Sequence, residues 1–266
     1  MKKSLIIFIL LLFISTTLFT YGVENQITIT DEDTDLGVVG VYINGDVNNR
    51  VKLLVEKDGT RYSYNLYEKD EIQLFPLQMG NGSYRIRVME NTEGNKYKTV
   101  LNKEININLQ DSSITYLNSI QEINWKRDNK AIIKASEITE GIDCEQQKLE
   151  AIYSYIVKNI KYDYEKISTI TSSYLPDIDE ILESGQGICY DYSSLFAAMM
   201  RSVGVPTKMV KGYTDLIPNE YHAWNEVLIN GEWKIIDTTF DAAYIQDSKN
   251  VDMLKTASDY NGEKEF

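Results

Sequence analysis

The sequence predicts an α+β protein, and three observations support this prediction. The first part of the chain contains about six short segments of alternating apolar and polar residues, separated by turn residues. The next part has apolar residues at the spacing of helices. A β-hairpin pattern follows the last predicted helix. A run of strands followed by a run of helices is typical of the α+β class.

Residues 1–22 have the pattern of a secretory signal peptide. Two lysines at positions 2 and 3 precede an apolar stretch from Leu5 to Phe13, and small and polar residues follow it. An apolar stretch of this length is too short to remain as a membrane anchor. We therefore expect cleavage around Thr20 to Val23, a secreted or cell-surface protein, and no stable membrane span after cleavage.

The chain is acidic, with 40 Asp and Glu against 27 Lys and Arg and a formal net charge of −13. Nucleic acids and anionic lipids carry negative charge, so an acidic chain is repelled by both. We therefore expect no nucleic-acid partner.

Residues 23–110 are predicted to form a small β-sandwich of the immunoglobulin-like type. Asn44-Gly45, Asp58-Gly59 and the glycines at 80 and 82 supply turns, because these residue types tolerate a positive φ. The predicted strands cover 27–30, 38–43, 51–55, 62–67, 84–89 and 97–109. No cluster of reactive side chains stands out in this segment.

The rest of the chain is divided into three further segments. Residues 111–135 are predicted to be a connector, residues 136–246 a catalytic domain, and residues 247–266 a polar tail without a partner element. The period of the apolar residues changes to that of helices near the end of the connector. The predicted helices cover 131–138, 144–160, 178–182 and 190–203.

Cys189 directly precedes the predicted helix 190–203, which ends at Gly204 with Pro206 just beyond it. At a helix N-terminus, free N–H groups and the positive end of the helix dipole stabilise a thiolate and can donate to an oxyanion. The pattern therefore indicates a nucleophilic thiol. The alternative is a structural cysteine buried beside a tight turn.

The chain has two cysteines, Cys144 and Cys189, so an exported form could contain one disulfide. Such a bridge would remove the nucleophile. We favour free thiols, because Cys144 has a polar context at a helix start whereas the surroundings of Cys189 suit a reactive thiolate.

Asn230-Gly231 joins two alternating segments, 222–229 and 232–237, and this dipeptide is the strongest short signal for a two-residue β-hairpin. In such a hairpin Ile229 pairs with Glu232. The pairing register of the whole hairpin follows from this first pair.

The same register predicts that His222 and Asp237 lie on one face. Trp224 is expected opposite Asp237, and His222 opposite Thr239. Opposed residues share a face, as do residues two apart on one strand. His222 and Asp237 are then diagonal neighbours with Cα atoms about 7–8 Å apart, a distance that an imidazole and a carboxylate can bridge.

Cys189, His222 and Asp237 have the residue types of nucleophilic catalysis on a carboxamide. The thiolate would attack the carbonyl carbon, His222 would protonate the departing amine, and Asp237 would fix the imidazole tautomer. Glu226 and Asp241 are alternatives to Asp237, which is preferred as the nearer cross-strand neighbour. A zinc site is not expected, because one cysteine and one histidine supply too few ligands.

The segment from about 148 to 241 resembles the transglutaminase-like superfamily, whose fold is papain-like. The resemblance rests on several motifs together: GICYDY at 187–192, LFAAMMR at 195–201, GVPT at 204–207, HAWNE at 222–226 and DTT at 237–239. The front half resembles the β domain that precedes such domains in exported clostridial-type proteins.

The resemblance implies that Cys189, His222 and Asp237 form a catalytic triad. It also implies a polar or aromatic side chain that completes the oxyanion hole, for which Tyr162 and Gln186 are candidates. Trp224 is a further candidate for the pocket, although core packing is the more ordinary interpretation. The calcium-binding loops of the animal enzymes have no evident counterpart, so we expect neither a metal nor another cofactor.

The leading functional expectation is an exported enzyme that transfers acyl groups from protein or peptide amides through a thioester, with cell-wall-associated peptides among the candidate substrates. Hydrolysis of the same thioester by a cysteine peptidase or amidase stays open, because the sequence does not show whether amine or water reaches it. The competing class is an inactive binding module at the cell surface or cell wall, since the family also contains inactive members.

Overall fold

The computed structural model describes residues 26–45, 47 and 49–266. The predicted signal peptide, residues 1–22, lies outside this part of the chain. A β-rich region is followed by a region of helices and a further sheet. This mixed architecture confirms the predicted fold class.

The β-rich region consists of two antiparallel sheets. The first has the strand order β1-β2-β5 and the second β4-β3-β6-β7. The strands are β1 (Ile27–Thr30), β2 (Val38–Ile43), β3 (Val51–Lys57), β4 (Thr60–Leu66), β5 (Ile72–Pro76), β6 (Gly82–Glu93) and β7 (Lys96–Ile107). Alternate residues of these strands are buried in one apolar cluster, as period-two patterning requires.

Strand β5 was not among the predicted strands. It follows the charged stretch 68–71 and ends at Pro76, so its alternating pattern is short. It lies at the edge of its sheet, where a proline is tolerated because the missing N–H interrupts no central pairing.

The second region contains five helices within residues 130–246 and a four-stranded antiparallel sheet in the order β12-β11-β10-β13. The helices are α1 (Lys130–Ile138), α2 (Glu145–Asn159), α3 (Ile178–Ser184), α4 (Cys189–Ser202) and α5 (Thr238–Gln246). The strands are β8 (Lys161–Tyr162), β9 (Gln186–Gly187), β10 (Thr207–Thr214), β11 (Ile217–Ile229), β12 (Glu232–Ile236) and β13 (Tyr260–Glu265). Helix α4 packs against the other four helices and against β10 and β11.

The hairpin register predicted from Asn230-Gly231 is confirmed where the ladder exists. Ile229 pairs with Glu232, and the same register continues to Asn225 and Ile236. The prediction is wrong beyond that point. Strand β12 ends at Ile236, and Thr239 belongs to helix α5 instead of facing His222 across a ladder. Asp237 is the N-cap of this helix, so the chain turns away from the sheet there.

The prediction that residues 247–266 form a polar tail without a partner element is wrong. Residues 260–265 form β13, which pairs antiparallel with β10. The strand is polar because it lies at an edge of its sheet and most of its side chains are exposed. Phe266, directly after it, is buried against the rings of Tyr62 and Tyr64 in the β-rich region.

The predicted domain boundaries stay predictions, and helix α1 crosses the one placed at 135/136. In the described part of the chain, no helix is both long and apolar enough to cross a membrane.

Candidate active site

Cys189 is the first residue of α4, and a buried carboxylate fixes the start of this helix. Asp191 accepts a hydrogen bond from the N–H of Ile188 at 2.9 Å. The same carboxylate pairs with Lys166 at 2.9 Å and accepts from the hydroxyl of Tyr174. The early N–H groups of a helix have no partner within it, so the thiol lies beside free donors. This is the position that the sequence predicted for Cys189.

Gly187 permits the close approach of the preceding turn to this carboxylate. A Cβ atom at position 187 would lie 2.7 Å from the Cβ of Asp191, closer than such atoms pack. The glycine before the cysteine is therefore required by packing.

His222 and Asp237 are hydrogen bonded to each other. The Nε2 atom of His222 lies 2.8 Å from Oδ2 of Asp237, and both side chains are almost fully buried. A carboxylate only accepts, so Nε2 carries the proton of this bond and Nδ1 is the ring nitrogen left to face another group. The Cys189 side chain lies near the imidazole and helps to raise its pKa.

Asp237 has two further donors in the described part of the chain. The N–H of Phe240 donates to Oδ1 at 3.0 Å, which is the N-cap bond of α5. The hydroxyl of Tyr260 donates to Oδ2 at 3.0 Å. Sequence reasoning missed Tyr260, because the segment around it is polar and was interpreted as a tail. The sequence did contain a signal for the N-cap role of Asp237, because aspartate is a favoured residue directly before the first turn of a helix.

Two opposing effects set the charge of His222. Burial lowers the pKa of His222, but the Asp237 carboxylate and the neighbouring Cys189 together raise it to about 10. The imidazolium is therefore favoured near neutral pH, which places a positive charge beside the thiol.

Cys189 and His222 both line one cavity of about 410 Å³, named here the Cys189 cavity. Its other walls are Tyr162, Tyr164, Ile167, Ile217, Glu220, Tyr221, Thr239, Phe240 and Ala243. Aromatic and apolar side chains therefore surround the thiol, and Glu220 brings a negative charge.

The three oxyanion or pocket candidates from the sequence fall in different places. Tyr162 lines the Cys189 cavity, and burial together with the nearby Cys189 raises the pKa of its phenol to about 12, so it remains a hydrogen-bond donor. Gln186 is exposed and is not among the residues that line this cavity. Trp224 is buried behind the imidazole, with ring centroids 6.4 Å apart, and also does not line it.

The two alternatives to Asp237 have other partners. Glu226 lies 3.7 Å from Lys208. Asp241 is fully buried and accepts from the hydroxyl of Tyr153 at 2.9 Å and from Lys255. Among the described residues, Asp237 is the carboxylate bonded to His222.

Both cysteines are free thiols, with Cys144 exposed and Cys189 partly exposed. The disulfide alternative is therefore not realised in this structure.

Sequence reasoning also missed a partly buried lysine near the thiol. Lys211 on β10 lies 3.5 Å from the ring centroid of Tyr190, the residue after the thiol. Burial lowers the pKa of Lys211, while the nearby Glu122 and Cys189 act in the opposite direction. Its positive charge adds to the field that stabilises a thiolate.

Residues 134–238 match the family model described as the transglutaminase-like superfamily. The chain carries a transglutaminase-like domain. This finding confirms the superfamily inferred from the motifs. The clostridial-type subclass and the identity of the preceding β domain stay predictions.

The transglutaminase-like domain is also similar to parts of longer proteins. The kyphoscoliosis peptidase of Mus musculus is 27% identical over 119 residues, which are 41% of this chain and 18% of that protein. The uncharacterized protein YebA of Bacillus subtilis (strain 168) is 29% identical over 110 residues, which are 35% of this chain and 15% of that protein. The chain thus matches less than a fifth of the length of these two curated relatives.

Among solved structures, the periplasmic domain of TgpA from Pseudomonas aeruginosa is 15% identical with a TM-score of 0.40, and the alignment covers 79% of this chain and 74% of that one.

Proposed function

We propose that this protein is an exported enzyme that transfers acyl groups from protein or peptide amides through a thioester on Cys189. The observation that supports the proposal most directly is the shared position of Cys189 and His222 on one cavity, with Asp237 bonded to the far side of the imidazole. A thiol that attacks a carbonyl needs a base beside it and a third group that orients the base.

The proposed reaction has two halves. The Sγ thiolate adds to the carboxamide carbon, and the tetrahedral intermediate collapses with a proton passing from the imidazolium of His222 to the leaving nitrogen. Ammonia or an amine departs and a thioester remains. In the second half an acceptor amine adds to the thioester, His222 takes its proton, and the thiolate leaves as the new amide forms.

The oxyanion of each intermediate needs preorganised donors. The free N–H groups at the start of α4 lie beside the thiol. The phenol of Tyr162, on the wall of the same cavity, is the side chain we propose as the further donor. Gln186 is not retained for this role because it does not line the cavity.

Transfer is preferred over hydrolysis because of the cavity walls. The rings of Tyr162, Tyr164, Tyr221 and Phe240 line the cavity beside the thiol and offer apolar surface to the carbon chain of an acceptor amine. Hydrolysis of the same thioester is the alternative outcome, and it requires that water reaches the carbonyl before an amine does.

The proposed location outside the cytoplasmic membrane rests on the signal-peptide pattern of residues 1–22. Secretion of a fusion to a reporter enzyme, compared with a fusion that begins at residue 24, would test it.

The test of the reaction is the incorporation of a fluorescent primary amine into a glutamine-containing protein. We expect incorporation with release of ammonia, lost in Cys189→Ala and kept in Cys144→Ala. A deamidated or cleaved product that lacks the amine would show that the enzyme hydrolyses the thioester instead of transferring the acyl group. Neither product, over a panel that includes cell-wall peptides, would overturn the enzymatic proposal.

Thiol labelling separates an enzyme from an inactive binding module. With iodoacetamide near neutral pH we expect Cys189 to react faster than Cys144, although Cys144 is the more exposed thiol. If Cys144 reacts at the same rate or faster, the thiol is not activated and the binding module becomes the better account.

A further inference from the structure

Tyr260 connects the last strand to the buried pair of His222 and Asp237. Its hydroxyl donates to Oδ2 of Asp237 at 3.0 Å, and Nε2 of His222 meets the same oxygen at 2.8 Å. The N–H of Phe240 donates to the other oxygen of Asp237, Oδ1. Oδ1 thus has one donor, and Oδ2 has two. The two donors on Oδ2 hold the plane of the carboxylate against rotation.

The ring of Tyr260 is held from two sides. Its centroid lies 5.0 Å from that of Trp224, which in turn stacks on the imidazole of His222. The backbone of Tyr260 pairs with Thr214 of β10. The N–H of Asp215 also donates to the carbonyl of Asp259 at 2.9 Å. The hydroxyl therefore has little freedom to leave the carboxylate.

The other end of β13 is fixed by the β-rich region. The N–H of Glu265 donates to the hydroxyl of Tyr62 at 3.3 Å, and its carbonyl accepts from Gln78 at 3.1 Å. The carbonyl of Phe266 accepts from the buried guanidinium of Arg201 at 2.8 Å. Contacts at both ends of this short strand therefore fix its position.

We propose that Tyr260 is a positioning residue for the His222–Asp237 pair, and that β13, anchored on the β-rich region, holds it in place. The inference rests on the proposed function, because it concerns the same pair of side chains. Tyr260 is not among the residues that line the Cys189 cavity, and its hydroxyl binds Asp237, so it acts through this carboxylate.

The phenol stays protonated in this position. Burial and the negative charge of Asp237 raise the pKa of Tyr260 far above its ordinary value. It is thus a donor over the whole pH range in which an enzyme of this kind operates, and the carboxylate keeps its orientation throughout.

The test is Tyr260→Phe, which removes the hydroxyl and keeps the ring against Trp224. We expect kcat to fall about tenfold, the effect of one hydrogen bond to a charged group, with KM unchanged because the residue does not contact substrate. Tyr213→Phe is the matched control, since Tyr213 lies on the neighbouring strand opposite Asn261 and is exposed. Its kinetics should equal those of the wild type.

A spectroscopic measurement separates positioning from general destabilisation. The chain has one histidine, so the Nε2–H proton resonance of His222 is assigned without ambiguity. In Tyr260→Phe the carboxylate oxygen loses its second donor and accepts more strongly from the imidazole. We expect the resonance to move downfield, and to stay in place in Tyr213→Phe.

Two outcomes would overturn the inference: wild-type kcat in a folded Tyr260→Phe variant, or an unshifted His222 resonance. If Tyr260→Phe folds poorly, Tyr260→Met replaces it in the test, because methionine also lacks a donor at that position. The same loss of kcat is then expected. Failure of the proposed function itself would look different, because the wild type would then lack activity while the resonance still responded to Tyr260→Phe.

Discussion

The two sheets of the β-rich region keep their charged side chains at or near the surface, with the exception of Glu90, whereas the region that follows buries several charged or titratable groups almost completely. The acidic, basic and imidazole side chains with 4% exposure or less are Asp191, Arg201, His222, Asp237 and Asp241. In the first region, apolar and aromatic side chains form most of the core. In the second, each buried group requires a partner, because an unpaired charge or polar group in the interior is costly.

These partners come from distant parts of the sequence. Asp191 is bound by Lys166 and Tyr174 from the segment before α3. Asp237 accepts a hydrogen bond from the hydroxyl of Tyr260, which lies 23 residues further along the chain. The order of the proposed active site therefore depends on fully buried charged groups with distant partners, whereas a charged pair of the β-rich region such as Arg87 with Glu56 stays partly exposed. The following variants would break or sharpen this difference.

The largest effect is expected for Asp237→Asn. The side chain keeps its volume, but an amide can stabilise the wrong imidazole tautomer and no longer supports the imidazolium. We expect kcat/KM to fall roughly 10³- to 10⁴-fold, measured by amine incorporation. Asp143→Asn, at an exposed aspartate, serves as the control. A loss below tenfold would show that Asp237 does not orient His222.

Arg201→Met tests the cost of removing a buried cation. Its guanidinium donates to the carbonyls of Thr207, Asn118 and Phe266, which would be left without this donor. We expect the free energy of unfolding to fall by about 4 kcal/mol.

The matched variant in the β-rich region is Arg87→Met. Arg87 pairs with Glu56 at 2.7 Å but is about a quarter exposed, so about 1 kcal/mol or less is expected. Urea denaturation measures both variants, and equal losses would remove the distinction between the two regions.

The pH dependence of stability follows from His222. Its pKa is raised from 6.5 to about 10 in the folded chain, so its contribution is fully present below pH 6.5 and is lost as the pH rises through about 10. We expect a difference on the order of 5 kcal/mol between these limits. It is measured by subtracting the unfolding free energies of His222→Gln from those of the wild type at each pH. Parallel curves for the two proteins would contradict the raised pKa.

The smallest effect on activity is expected for Ile86→Val, inside the β-rich core. The side chain is fully buried on β6, and one methylene is lost. We expect about 1 kcal/mol less stability and unchanged kcat/KM, because no polar pair of the second region is touched. A change in kcat/KM at a temperature where the variant is folded would show coupling of the sheets to the site through packing.

The local parts of the structure were predictable from the sequence. Asn230 and Gly231 adopt positive φ angles of 52° and 80°, as the two-residue turn requires, and the register followed from them. Helix α4 was predicted because its apolar spacing is regular and a glycine and a proline follow it. Cys189 was placed at the start of that helix for the same reason.

The parts that depend on tertiary contacts were not predictable. Helix α5 follows a strand directly, and its apolar residues do not form one clear face, so the strand pattern was extended to Asp237. Strand β13 has the polar sequence YNGEKE and becomes a strand because β10 offers an unpaired edge. Tyr260 was missed with it.

Cys144 occupies the N-cap position of α2 and is exposed. Serine is one of the residues best suited to that position, because its oxygen can accept from an N–H of the first turn. Cys144→Ser should thus leave the fold intact while reducing the chain to one sulfhydryl. A thiol-selective probe captured by such a molecule, even in a crude culture supernatant, would mark Cys189.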